Sequence, residues 1–231
     1  MTITLITGAN KGLGYETARQ LIGRGHTVYL GSRDPDRGKQ AAADLGAVLL
    51  LVDVTSDPSV AAAAARVRDE TGHLDVLVNN AGIPGGFKPA GETTAADIEA
   101  VYGTNVFGVV RMTHAFLPLL QLSAAPVIVN VSSGLGSLAV TNNPDRFEAT
   151  LKSLAYPSSK SALNMLTSQY AKSYPQIRIN AVDPGYTATD LNSHRGTQTI
   201  EQGAEIIVAM ATVPPAGPTG TFTDRHGPVP W

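Results

Sequence analysis

Tyr156 and Lys160 stand four positions apart in Tyr156-Pro157-Ser158-Ser159-Lys160. On a helix that spacing puts both side chains on one face. A free phenol titrates near 10, too high for ready proton transfer at neutral pH. A lysine ammonium about 5 Å away, at an effective dielectric of about 20, favours phenolate by about 3 kcal/mol, roughly two pKa units. Such a pair suits general acid–base work, although out of context it is also ordinary surface decoration. The second chemical feature is the octet Thr7-Gly8-Ala9-Asn10-Lys11-Gly12-Leu13-Gly14. Glycines permit a tight turn and close approach to a pyrophosphate, and a helix opening there offers free N–H groups to an anion. Its G-x-x-x-G-x-G spacing differs from G-x-G-x-x-G, so a plain strand-to-helix corner stands as the alternative to dinucleotide binding.

Other chemistries are excluded or disfavoured. The 231 residues contain no cysteine, so disulfides, cysteine nucleophiles and Cys-ligated zinc are absent. The histidines at 26, 73, 114, 194 and 226 show no close ligand spacing, and no metal site is expected. A net charge of −2 provides no broad basic field for nucleic acid or an anionic membrane. The opening MTITLITGAN does not read as a secretory signal, and no apolar run approaches the roughly 20 residues of a membrane span. The expectation is a cytoplasmic protein of one domain, residues 1–231.

The elements that must position these residues follow from short apolar runs alternating with helical patterns. Strands are predicted at Ile3 to Thr7, His26 to Gly31, Ala47 to Val52, Leu74 to Val78, Val127 to Val131 and Ile177 to Ala181, with a last one near Thr219 to Thr223. Helices are predicted over Gly12 to Arg24, Pro35 to Ala43, Asp57 (as N-cap) to Thr71, Asn105 to Leu122, Tyr156 to the residue before Pro175, and Ile200 to Ala211. This is an α/β pattern: a Rossmann-type, doubly wound parallel sheet of about seven strands with helices on both faces.

The octet resembles the TGxxxGxG signature of short-chain dehydrogenases/reductases, and further motifs follow in that family's order. Asn79-Asn80-Ala81-Gly82 resembles its NNAG motif, Tyr156 to Lys160 its YxxxK motif, and Pro184-Gly185 the turn after its sixth strand. The resemblance implies a catalytic set of Asn105, Ser133, Tyr156 and Lys160, with Ser133 rather than Ser132 polarising a carbonyl oxygen and Tyr156 donating the proton. It implies cofactor contacts from Gly8, Asn10, Lys11, Gly12, Leu13, Gly14, Ser32, Arg33, Asp53, Val54, Asn80, Ala81, Gly82, Tyr156, Lys160, Pro184, Gly185, Thr187 and Thr189. Asp53 would hold the adenine amino group and Asn105 would relay protons from Lys160.

An acidic residue ending the second strand would bind a ribose 2′-hydroxyl, whereas arginine accommodates a 2′-phosphate. Here Ser32 is followed by Arg33, with Lys11 as a second cation, which points to NADP(H); Asp34 is read as a turn residue beyond the ribose. Ser133 and Tyr156 are unusually far apart for the family, and the segment 137–154 resembles the insertion of the monomeric carbonyl reductases, implying a monomer. Residues 190–202 are expected to form a flap that carries His194 and Arg195. Leu135, Leu138, Val140, Tyr186 and Leu191 would line an apolar pocket, and Trp231 would anchor the tail. The expected partner is a small carbonyl or alcohol substrate. A non-catalytic NADP-binding sensor or scaffold is the alternative, and a sugar-nucleotide epimerase would need a larger C-terminal domain.

Overall fold

Strand-forming Val, Ile and Leu alternate sides along a strand, so a run buried throughout needs cover on both faces. Ile3–Ile6 (β1) is such a run, with all four residues buried. The computed structural model, which describes residues 1–86 and 88–231, sets β1 in one eight-stranded sheet. Its other strands are Thr27–Ser32 (β2), Val48–Leu51 (β3), Val76–Asn79 (β4), Val127–Val131 (β5), Arg178–Val182 (β6), Phe222–Asp224 (β7) and Gly227–Pro228 (β8). The order is β3-β2-β1-β4-β5-β6-β7-β8. Every pairing is parallel except β7 with β8. The expected parallel seven are thus joined by a two-residue antiparallel edge strand.

The helices are Gly12–Ile22 (α1), Pro35–Leu45 (α2), Asp57–Thr71 (α3), Ala95–Tyr102 (α4), Gly108–Leu120 (α5), Leu138–Thr141 (α6), Ala155–Ser173 (α7) and Ile200–Ala211 (α8). Leu5, Leu77 and Ile128 face Val67 of α3 and Met112 and Phe116 of α5. Ile6, Val78 and Val129 face Ala18 and Leu21 of α1 and Ile206 and Ile207 of α8. Full burial of each such side chain is worth about 1.5–3 kcal/mol. The two cores fix the strand ends, and parallel pairing brings the loops after β1 to β6 to one edge of the sheet. In open α/β sheets that edge is where ligands bind.

Three local expectations need correction. Ser56, not Asp57, caps α3, its hydroxyl accepting from Ser59 N–H. The helix expected from Asn105 begins earlier, at α4, where Thr94 and Asp97 form a capping box; that signal was present in the sequence. Asn105 then lies in a π-helical segment, Gly103–Phe107, between α4 and α5. Such bulges interrupt the regular ladder and often sit at functional sites. No helix among the described residues is long and apolar enough to cross a membrane.

Candidate active site

The glycine loop is shaped by close approach. Gly8 and Gly12 adopt φ of +62° and +57°, the left-handed region that glycine enters without a Cβ penalty. A Cβ on Gly14 would lie 2.5 Å from Asn80 Nδ2 and 2.7 Å from the Gly8 carbonyl. Asn80 closes the loop from beneath, its amide donating to the carbonyls of Thr7 (2.8 Å) and Gly8 (3.1 Å). The Ala81 N–H donates to Thr7 Oγ1 at 2.9 Å. Helix α1 starts at this loop without a side-chain cap and with no acidic residue in its first turn, which leaves N–H groups for an anion. A Cβ on Gly12 would meet only Thr189 Cγ2, at 3.9 Å, so a cradle lies between the loop and the segment after β6. The residues present therefore fit a dinucleotide pyrophosphate.

The other expected contacts flank this cradle along the same sheet edge. Ser32 is buried and its hydroxyl is committed to its own turn, donating to the Asp34 carbonyl at 2.8 Å. Asp34 caps α2 by accepting from the Asp36 and Arg37 N–H groups, consistent with a turn residue. Arg33 is exposed and its charge reaches Asp53, whose carboxyl is held below the usual range chiefly by the Thr55 hydroxyl and N–H. Val54 packs under Gly108. Arg37, not singled out from the sequence, lines a cleft of about 260 Å³ with Asn10, Lys11 and Tyr15. Lys11 itself ion-pairs with Asp190 at 2.7 Å.

The catalytic candidates converge on α7. Lys160 is buried, its Nζ 5.5 Å from the Tyr156 ring centroid and donating to the Val131 carbonyl at 2.8 Å. A Cβ on Gly82 would sit 3.7 Å from that Nζ and 3.5 Å from Asn105 Oδ1. Asn105 accepts from Ile83 N–H (2.9 Å) and donates to Ser159 Oγ (3.0 Å), locking α7 to the loop after β4. Ser132 donates to Asn164 Oδ1 at 2.6 Å and is consumed in packing. Ser133 caps a single 3-10 turn, its hydroxyl accepting from the Leu135 N–H at 3.2 Å.

The electrostatic expectation for the pair fails in sign. Burial pushes the Tyr156 phenol well above its ordinary range, the charge of Asp183 adds to this, and the Ser133 hydroxyl opposes it. Burial also pushes Lys160 down to about 8, against the pull of Asp183. Desolvation is the largest contribution to both shifts, where spacing alone suggested an attraction between ammonium and phenolate.

After β6, Gly185 turns at φ +71°. Thr187 is buried with its hydroxyl donating to the Pro184 carbonyl at 2.9 Å, and Thr189 caps the turn Asp190–Asn192. The flap region is pinned at its base by Thr197 N–H to the Tyr186 carbonyl, 2.8 Å. His194 in it pairs with Asp190 at 2.8 Å. Of the residues expected to line an apolar pocket, Val140 is buried, whereas Leu138, Tyr186 and Leu191 are exposed. Tyr186 lines a cleft of about 510 Å³ together with Asp145, Arg146, Phe147, Glu148 and Thr197. Trp231 stacks on Phe222 with centroids 5.6 Å apart, a packing anchor.

The sequence profile of the short chain dehydrogenase family matches residues 2–200. The chain is 35% identical to (-)-isopiperitenone reductase of Mentha piperita, covering 96% of this chain and 95% of that protein. That alignment runs over 301 positions, more than the 231 residues here, so the mint enzyme carries segments this chain lacks. Among solved structures, NADPH-bound carbonyl reductase from chicken fatty liver superposes with a TM-score of 0.87 at 27% identity, covering all of both chains. Salutaridine reductase from Papaver somniferum gives 0.84 at 29% identity, covering 97% of this chain and 100% of that one. With the glycine cradle, the Tyr156–Lys160 helix and the sheet order in place, these matches settle the family: the chain belongs to the short-chain dehydrogenases/reductases.

Proposed function

We propose that the protein is an NADPH-dependent carbonyl reductase for small-to-medium ketones, aldehydes or quinones. The observation that carries this is the convergence of Ser133, Tyr156 and Lys160 beside the glycine cradle at one sheet edge. NADPH, when bound, supplies the hydride. The cradle of Gly8 to Gly14, with Asn80 to Gly82 beneath and Thr187 and Thr189 opposite, would hold the dinucleotide, with Lys11, Arg33 and Arg37 as the cations for a 2′-phosphate. Ser133 holds and polarises the carbonyl oxygen. Tyr156, kept as a phenol by burial, gives that oxygen its proton, and Lys160 stands behind it with Asn105 fixing the helix.

Supporting the reading, the named relatives include an isopiperitenone reductase and an NADPH-bound carbonyl reductase, which does not favour a non-catalytic sensor. The whole chain acts as one reductase domain, a cytoplasmic monomer, with segment 137–154 forming the outer wall of the substrate cleft and 190–202 its flap. The test is NADPH oxidation, beside NADH, across aldehydes, cyclic and aromatic ketones, and quinones. Turnover with NADPH that disappears in Tyr156→Phe is expected. Tight NADPH binding without turnover on any of these carbonyls overturns the assignment, and a sedimentation mass of several times 24.1 kDa overturns the monomer.

A further inference from the structure

Lys11 and Arg37 are assigned above to a 2′-phosphate, and in this structure each already holds a carboxylate. Arg37 Nε lies 3.3 Å from Asp34 Oδ2, and Lys11 Nζ lies 2.7 Å from Asp190 Oδ2. The two carboxylates differ in what else they do. Asp34 caps α2, its Oδ1 accepting from the Asp36 and Arg37 N–H groups. The Asp190 side chain caps no helix. Among the described residues its partners are Lys11 and, 2.8 Å from Oδ1, His194 Nε2. Asp190 opens the segment 190–202, so its bond to Lys11 spans the cradle from the far side. The two walls come close there: a Cβ on Gly12 would sit 3.9 Å from Thr189 Cγ2.

The turn behind Asp190 sets its aim. Ser193 and His194 take φ of +55° and +58°, a region that residues with a Cβ rarely enter. The His194 N–H donates to the Thr189 carbonyl at 2.9 Å, and the imidazole is folded back onto the carboxylate. Lys11, Asp190 and His194 are all more than half exposed, so their attraction is screened and weak. That weakness makes the bond exchangeable. A phosphate monoester carries nearly two charges against one for a carboxylate. Lys11 also lines the cleft that holds Arg37, so a change of side-chain rotamer carries its ammonium from one anion to the other. We propose that Asp190 is a selectivity residue: its carboxylate competes with the 2′-phosphate of NADPH for Lys11 and so narrows the preference for NADPH over NADH. NADH, with no such phosphate, leaves the Lys11–Asp190 bond in place. The inference rests on the assignment of Lys11 and Arg37 to the 2′-phosphate.

The test compares wild type, Asp190→Asn, Asp190→Ser, Lys11→Met and the double variant Lys11→Met/Asp190→Asn. It measures the Kd of NADPH and NADH by nicotinamide fluorescence. Competition then gives the Kd of adenosine 2′,5′-bisphosphate beside that of adenosine 5′-phosphate, which isolates the 2′-phosphate from the nicotinamide half. Asp190→Asn is expected to tighten NADPH and the bisphosphate by about two- to fivefold, the scale of an exposed ion pair, with little change for NADH and the monophosphate. In the Lys11→Met background the same substitution should change none of them. Equal tightening of both cofactors, or tightening that persists without Lys11, overturns the competition, as does no tightening in either Asp190 variant. Asp190→Ser decides the case where the asparagine oxygen still holds the ammonium. Lys11→Met that binds NADPH as tightly as wild type overturns the phosphate assignment of Lys11. NADPH weakened in Lys11→Met, with unmoved affinities in both Asp190 variants, overturns only the role of Asp190.

Discussion

Replacing Lys160 with methionine separates what the chemistry needs from what the fold would prefer. Lys160 is 4% exposed, and its Nζ donates one hydrogen bond, to the Val131 carbonyl. Burial lowers its pKa from 10.5 to about 8. At about 1.4 kcal/mol per unit, that difference is a folding penalty of about 3 kcal/mol for the charged form. Methionine keeps an unbranched stem in the same space and carries no charge. What it forfeits is a charge-assisted bond to the buried Val131 carbonyl, worth about 1.5–3 kcal/mol. The net gain is at most about 2 kcal/mol near pH 7, which for a chain of this length raises Tm by at most about 4–8 °C.

The sign with pH follows from proton binding. Between the folded value of about 8 and the unfolded value of 10.5, the unfolded chain binds more protons. Wild type therefore gains stability from this group as pH rises through that window, and bears the whole penalty below it. The advantage of Lys160→Met is largest near pH 7 and fades towards pH 10. Melting curves of the ligand-free protein across that range measure it, since bound NADPH would add its own stabilisation. Turnover should fall by about 10²–10⁴-fold. A variant that melts at or below wild type at pH 7, or whose advantage does not shrink with pH, refutes the reasoning.

Gly14→Ala places a methyl 2.5 Å from Asn80 Nδ2 and 2.9 Å from Ala9 Cα. The forced opening of the loop should cost about 1–3 kcal/mol and raise the KM for NADPH, on the order of tenfold, as read in initial rates and melting. Ser132→Ala removes the bond to Asn164 and should cost about 1–3 kcal/mol of stability with kcat largely kept. Ser133→Ala should reverse that split, lowering kcat by about 10²-fold or more with little change in Tm; the opposite pattern would exchange the two serines' roles. Arg37→Ala should weaken NADPH by about tenfold, the scale of one charge-assisted contact, and leave NADH kinetics unchanged. Equal losses with both cofactors would remove Arg37 from the phosphate site.

What was legible in the sequence was local. Gly8 and Gly12 sit where a strand must turn into a helix, so their positive φ follows from neighbours in the chain. The spacing of Tyr156 and Lys160 fixes a shared face whatever packs against it. Ser56 was obscured because Asp57 also suits a cap, and only the hydroxyl's bond to Ser59 N–H separates the two. Arg37 escaped because its approach to Lys11 depends on how α1 and α2 pack on the sheet. Phe147 escaped because the turns of 137–154 carry no periodicity. The direction of the Tyr156 shift is not legible for a related reason: spacing gives the approach of Lys160 but not the desolvation, which is the largest effect here.

The interface between α7 and the sheet shows how the fold aims a catalytic helix. Asn79 donates to Asn130 and Asn130 to Thr167, each at 2.9 Å. Ser132 bonds Asn164, and Asn105 bonds Ser159. Apolar packing is nearly indifferent to small slides and rotations of a helix, whereas a hydrogen bond loses its value within a few tenths of an ångström or tens of degrees. Polar contacts at 159, 164 and 167 therefore set both the rotation and the height of α7 on the sheet. Buried polar pairs add little net stability, but leaving one partner unmet is expensive. A shifted α7 would strand several of them at once. That penalty holds Tyr156 opposite Ser133 and Lys160 against Val131, so the residues that specify the site's geometry include several that never touch a substrate.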